Sequence, residues 1–297
     1  MSDVPALVST DWLAQRLNAP DIRIVDASHY VPTVQRDARE EFDECHIPGA
    51  VFFDIDVIKD VSSPYPHMLP PPEVFSSKVR KLGLGDGNHI VVYDGNGGAS
   101  AAARVWWMFR LFGNSNVSVL DGGMPKWLRE GRPTDDMPPI PRERHFTARV
   151  DTTLVRTAED VLKDIETGRS QVLDARSAGR FRGEDPEPRA VSRQGHIPGS
   201  INLPFLDLMD PRELTMKDPA EIKARFAAAG VDLSKPITAS CGSGVTACVI
   251  ALAAHLVGKS DVAVYDGSWA EWAERHEFPV ESGHAPTPLG HHAAKTE

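Results

Sequence analysis

"ITASCGSGVTACVIALAAHLVG", residues 237–258, runs from four residues of strand character into a cysteine. It continues through a turn of two glycines, a serine and a threonine into an apolar helical stretch. Strand, tight turn and helix in that order form the repeating unit of a parallel α/β sheet, and such sheets bind ligands at the carboxyl ends of their strands. Cys241 stands at one such end. The small residues Gly242, Ser243 and Gly244, with Val245 and Thr246 after them, let successive backbone N–H groups turn inward as an anion nest. The start of the helix adds partial positive charge. Both effects draw a thiol toward its nucleophilic thiolate. A lone cysteine is ordinarily buried structure, but this setting marks Cys241 as a nucleophile.

The chain contains the same frame twice. "CHIPGAVFFD" (45–54) matches "GHIPGSINLP" (195–204), and "IRIVDAS" (22–28) matches "SQVLDAR" (170–176). "HIVVYDGNGG" (89–98) matches "PITASCGSGV" (236–245), and "VSVLDGGMPKWLREGRP" (117–133) matches "VAVYDGSWAEWAERHEFP" (262–279). The offset is 150 at His46 and His196, 148 at Asp26 and Asp174, 147 at Asp94 and Cys241, and 145 at Asp121 and Asp266. Four marks in one order with nearly one offset signify a duplicated domain rather than a short-period solenoid. Each half reads as four short strands, 24–26, 90–93 and 117–120 in the first and 172–174, 237–240 and 262–265 in the second, with one more after each Pro-Gly turn. Unalternating apolar strands between helical runs indicate a parallel sheet with helices on both faces. Residues 129–157, rich in proline and charge, read as an exposed connector. The expected domains are 1–140, without the cysteine, and 152–285, which carries it.

Composition narrows the function. The chain has 297 residues, 41% hydrophobic and 25% charged, with net charge −10, which fits a globular protein with real cores and argues against nucleic acid or an anionic membrane as partner. No apolar run is long enough to span a bilayer. The opening residues lack a basic segment followed by an apolar one, and three cysteines make no disulfide framework, so a reducing, cytoplasmic location is expected. No His, Cys and Asp set has metal-ligand spacing; neither a metal nor a cofactor is expected. His291 and His292 in the polar tail are a weak metal signal. His46 and His196 precede Pro-Gly in both halves, which points to a fold role. Trp106, Trp107, Trp127, Trp269 and Trp272 read as core, and Cys248 as buried.

A thiolate in an anion nest suits phosphoryl transfer or sulfur transfer. The first ordinarily needs an arginine six residues after the cysteine, and the chain has Ala247 there. The second makes a persulfide on Cys241, an anion that the same nest stabilises.

On the two "HIPG" segments, the "DAR" strand end and the loop "CGSGVT", the chain resembles the tandem-domain rhodanese family over nearly its full length. Members that use thiosulfate have Arg-Lys directly after the cysteine. Here Gly242-Ser243 stands instead, and "RFRGEDPEPR" (180–189), "FFDID" (52–56) and "HMLP" (67–70) are similar to the mercaptopyruvate-using branch. The resemblance implies two rhodanese-like domains, and sulfur transfer from 3-mercaptopyruvate to a thiol or cyanide with release of pyruvate. It implies Arg180 and Arg189 as the forks for the donor's oxygens, while Arg182 and Arg193 read as ordinary loop charges. It also implies Ser243, His67 and Asp56 as a set serving the pyruvate enolate, and reduced thioredoxin as an acceptor. A thiosulfate sulfurtransferase and a persulfide carrier module remain the competing readings.

Overall fold

The computed structural model describes residues 4–97 and 100–283; the tail pair His291 and His292 lies outside them. The first half contains β1 (Leu7–Val8), α1 (Thr10–Ala14), β2 (Ile22–Asp26), α2 (Ala38–Glu44), β3 (Val51–Phe52), α3 (Pro72–Lys81), β4 (His89–Tyr93), α4 (Ala101–Leu111), β5 (Val117–Leu120) and α5 (Gly123–Arg129). The second contains β6 (Val155–Arg156), α6 (Ala158–Thr167), β7 (Gln171–Asp174), α7 (Ala178–Arg182), β8 (Ile201–Asn202), α8 (Pro219–Ala228), β9 (Ile237–Ser240), α9 (Ala247–Leu256), β10 (Ala263–Tyr265) and α10 (Ser268–Trp272). The sheets have the orders β1-β5-β4-β2-β3 and β6-β10-β9-β7-β8, and every pairing is parallel.

Alternate residues of the central strands enter different cores, so both faces of each sheet are covered. Ile24, Val91 and Tyr93 face Leu13 of α1, Phe42 of α2 and Trp127 of α5. Val25, Ile90 and Val92 face the opposite side, with Phe75 of α3 and Trp106 of α4. In the second half Val172 and Tyr265 meet α6 and α10, while Leu173 and Ala239 meet α8 and α9. One core runs through both halves, because α4 and α9 pack on each other. All five tryptophans read as core are at most 1% exposed.

The sheets have five strands where the pattern shows four. β1 and β6 are two-residue edge strands, too short for a hydrophobic period to register. The connector is also more tightly held than its composition predicts. Phe146 is buried against Phe75 and Phe109, and Asp135 exchanges backbone hydrogen bonds with His46 at 2.9 Å. His46 and His196 have the fold role their repetition indicates. Each ring Nδ1 bonds a carbonyl, of Phe42 (2.7 Å) and Phe181 (2.8 Å), and each ring stacks on that same phenylalanine. Among the described residues no helix is long and apolar enough to cross a membrane.

Candidate active site

Cys241 follows β9 and is 1% exposed. Its turn is tied down from the β10–α10 corner. The Ser268 Oγ accepts from the N–H groups of Cys241 and Gly244, both at 3.1 Å, and donates to the Tyr265 carbonyl at 2.8 Å. The Cys241 carbonyl accepts from Trp269 N–H at 3.0 Å. Gly244 has φ 75°, a left-handed conformation that glycine adopts without strain. With the loop so fixed, the N–H groups of Ser243, Val245, Thr246 and Ala247 have no acceptor among the described residues. The equivalent first-half loop is filled by its own side chain. The Asp94 carboxylate accepts from the N–H groups of Asn96 (2.8 Å) and Ala102 (2.9 Å).

A cavity of about 640 Å³ opens onto the second loop. Cys241, Gly242, Ser243, Val245 and Thr246 line it, as do Arg180 and Arg189, while Gly244 lies behind as the hinge of the turn. His29, Tyr30 and Asn96 of the first half form part of the wall, so the site lies between the halves.

The two arginines differ in their surroundings. Arg180 Nε and Nη2 both bond Glu187 Oε2, and Arg176 Nη1 holds the other oxygen, Oε1, at 2.8 Å. Arg180 therefore belongs to a braced cluster formed by the turn before α7, α7 itself and the loop after it. Arg189 Nη2 donates to His67 Nε2 at 3.1 Å, and burial lowers its affinity for its proton. Arg182 pairs with Glu184 at the surface, and Arg193 donates to four backbone carbonyls of the 272–278 segment, so neither faces the cavity.

His67 sits on a strap, residues 60–70, that the first half lays over the second. It is 2% exposed with φ 59°. Its Nδ1 lies 3.3 Å from Asp56 Oδ1, and His29 Nε2 lies 3.3 Å from Oδ2. Burial first, then the neighbouring His29 charge, pushes His67 down to about 3 against the pull of Asp56. The ring is thus neutral near pH 7. Because Nε2 accepts from Arg189, the ring proton is on Nδ1, facing Asp56. The His29 hydrogen bond, with the charges of His67, His29 and Lys59, holds the Asp56 carboxyl well below the usual range.

The structure brings His67 Nδ1 within 3.3 Å of Asp56, the two residues the resemblance groups. Among the described residues no hydrogen bond links Ser243 to His67, whose Nε2 accepts from Arg189. His29 stands on the other oxygen of Asp56. The donor atoms of His29, Asp56 and His67 lie within 4.8 Å of one another, a set of ligand types that also suits a transition metal and that their sequence spacing does not reveal.

Three further residues escape the sequence reading. Glu187 braces Arg180. Ser268 caps the loop with φ 49°, where its first-half counterpart Gly123 has φ 50°. Arg104, buried in α4, bonds Asp266, the Gly244 carbonyl and the His67 carbonyl. Its signal is legible: an arginine inside "AAARVWWMF" requires a buried partner.

The rhodanese-like domain family matches the chain twice, at residues 9–130 and 157–275. The chain is 50% identical to the human (Homo sapiens) protein named 3-mercaptopyruvate sulfurtransferase over 275 residues, 91% of this chain and 92% of that one. It is 49% identical to the Bos taurus protein named thiosulfate sulfurtransferase over 276 residues, covering 91% and 92%. The crystal structure of SseA from Escherichia coli, described as a 3-mercaptopyruvate sulfotransferase, superposes with TM-score 0.82 at 40% identity, covering 90% of this chain and 99% of that one. With two parallel five-stranded sheets built on one repeated plan, the chain belongs to the rhodanese family, as two rhodanese-like domains in tandem.

Proposed function

We propose that this protein is a sulfurtransferase that takes sulfur from 3-mercaptopyruvate through a persulfide on Cys241 and delivers it to a thiol or cyanide. The observation that carries the reading is the pair of loops. The first-half loop already holds a carboxylate, that of Asp94, on its backbone donors. The second-half loop has the same frame, a thiol in place of that carboxylate, and donors left open. It is a receptor for an anion formed on Cys241.

In the proposed reaction the Cys241 thiolate attacks the donor sulfur. The carbon–sulfur bond breaks, its electron pair stays on the carbon as the pyruvate enolate, and a proton converts the enolate to pyruvate. A thiolate or cyanide then attacks the outer sulfur of the persulfide and releases Cys241. Arg180 and Arg189 line the same cavity and offer guanidinium donors to the donor's carboxylate and ketone. Neutral His67, fixed by Asp56 and Arg189, orients the Arg189 fork and the strap. Ser243, two residues beyond the nucleophile and in the wall of the same cavity, serves the enolate. In this reading residues 1–140 supply the strap and 152–285 the thiol, reduced thioredoxin is a physiological acceptor, and the three free cysteines suit the cytoplasm.

Thiosulfate is the weaker candidate donor. It concentrates its charge beside the transferred sulfur and calls for cations in the loop, where Gly242 and Ser243 are uncharged. A carrier module needs no arginine-lined cavity. The test is to incubate the protein with each donor and measure pyruvate and thiocyanate, with mass spectrometry of the donor-treated enzyme. The expected result is preference for mercaptopyruvate and one added sulfur on Cys241, both lost in Cys241→Ser. Sulfur on Cys45 or Cys248, or preference for thiosulfate, overturns the reading.

A further inference from the structure

The two halves supply an internal comparison. Each lays a strap over the other's loop. His67, with φ 59°, shares Arg104 with Gly244 of the Cys241 loop, and Leu214, 147 residues later with φ 58°, lies against Gly97 of the Asp94 loop. Each strap is anchored in the same way. Leu69 N–H donates to Asp266 Oδ2 at 2.6 Å, and Met216 N–H donates to Asp121 Oδ1 at 2.8 Å. The anchors match, but the helices beneath them do not. Arg104 of α4 reaches Asp266, and at its counterpart in α9, again 147 residues later, stands Ala251. The second-half strap keeps its backbone conformation and its aspartate anchor without an arginine. An arginine is therefore not what the strap requires in order to form.

What Arg104 adds concerns the thiol loop. Its Nη1 donates to the Gly244 carbonyl at 3.0 Å as well as to Asp266 at 2.6 Å, and its Nη2 donates to the His67 carbonyl. Cys248 Sγ, at 3.3 Å, supports the same Gly244 carbonyl. A trans peptide directs its C=O and N–H to opposite sides. Holding the Gly244 oxygen on the Arg104 side turns the Val245 N–H the other way, and Val245 lines the cavity. The charged groups around the loop are Arg104 and Asp266 on the buried side and Arg180, Glu187, Arg189 and Asp210 on the cavity side, with neutral His67 against Arg189.

We infer that Arg104 is a positioning residue of the Cys241 site. Through Gly244 it keeps the loop's backbone donors aimed at the sulfur, and through Asp266 and the His67 carbonyl it sets the strap against that loop. The inference rests on the proposed sulfur transfer for its catalytic consequence, but its structural part concerns Cys241 alone.

The test uses Arg104→Ala, which copies the first-half loop's arrangement, and Arg104→Lys, which keeps the charge without the planar fork. Three quantities are measured on the full chain: kcat and KM with mercaptopyruvate, the rate of Cys241 alkylation by iodoacetamide at one pH, and thermal unfolding. For Arg104→Ala, kcat falls roughly tenfold or more and alkylation slows in parallel, while KM stays within about threefold. Arg104→Lys recovers part of both losses. Folded Arg104→Ala with kcat and alkylation within about twofold of the parent overturns the inference, as does a rise in KM alone. Should Arg104→Ala not fold, Arg104→Lys decides: parental rates in both assays overturn the inference, and slowing of both supports it. If the parent does not use mercaptopyruvate, the proposed function fails and the alkylation rates still decide the role of Arg104.

Discussion

Arg180 lies so close to the backbone of Gly242 that a Cβ on that glycine would sit 2.6 Å from its Nη2. Gly242 does not share the left-handed φ of Gly244, so the demand for glycine is one of space. The residue at 242 and the arginine at 180 are therefore one choice. Gly242→Arg with Ser243→Lys places cations in the loop, displaces Arg180 and removes the Ser243 hydroxyl. The ratio of thiosulfate to mercaptopyruvate activity is expected to rise by roughly tenfold or more. Gly242→Ala, measured beside it, isolates the displacement of Arg180. An active Gly242→Ala together with an unchanged ratio in the double variant would refute the loop as the determinant of donor choice.

Glu187 is the brace that makes Arg180 a fixed fork, since it takes Arg180 on one oxygen and Arg176 on the other. Arg180→Ala and Arg189→Ala are each expected to weaken mercaptopyruvate use. Loss of a hydrogen bond to a charged group costs about 1.5–3 kcal/mol, or roughly tenfold and more in kcat/KM. Glu187→Ala should reproduce much of the Arg180→Ala defect with no donor contact removed. Steady-state kinetics of the three variants check this, and unchanged kinetics in Glu187→Ala would show that Arg180 needs no brace.

His67→Ala and Asp56→Ala are expected to slow the reaction with mercaptopyruvate more than that with thiosulfate. The first donor leaves as a carbon enolate, whereas the second leaves as sulfite, already a stable anion. Because His67 stays neutral down to about pH 3, it contributes no inflection to the pH–rate profile between pH 5 and 8. Equal slowing with both donors would assign the pair to loop structure rather than to the leaving group.

Asp26 and Asp174 are equivalent and buried, but only Asp174 has a cation, Arg176, beside it; Asp26 has Ser28. Burial therefore pushes Asp26 up to about 6. Between the unfolded value near 4 and about 6 the folded chain binds the extra proton, so stability from this group is full below that window and is lost as pH rises through it. His67 acts in the opposite sense, since its depressed value makes stability fall as pH drops from its unfolded value toward 3. Asp26→Asn, whose amide oxygen still accepts from Ser28 N–H, is expected to raise unfolding free energy at pH 7 by about 1–3 kcal/mol. The gain should vanish near pH 4. Denaturant unfolding at both pH values measures it, and an equal change at the two would remove ionisation as the cause.

The strands were legible because parallel strands covered on both faces read as unbroken apolar runs, and the duplication supplied each boundary twice. The turn that holds Cys241 was legible from its glycines between a strand and an apolar helix. The edge strands β1 and β6 were not, because two residues carry no period. The His29, Asp56 and His67 cluster was not, because only the strap brings the last of them to the others. Arg104 carried a signal in its apolar surroundings, and its partner lies 162 residues away. The bond between Arg189 and His67 depends on side-chain reach between the halves, which spacing does not encode.

The crossing of the straps has one more consequence. Residue 69 meets residue 266 and residue 216 meets residue 121, so each copy gives the other what it receives. In an assembly of separate subunits this would be an isologous contact with a two-fold axis between α4 and α9. Here one chain contains both partners, and the tether has freed them to diverge: one copy carries Cys241 in its loop, and the other carries Asp94 there and lends Arg104 and the His67 strap to its twin. Cutting the chain at residues 129–157 would therefore leave two folded-looking pieces, each exposing an apolar helix face, and the piece with the thiol would lack its roof.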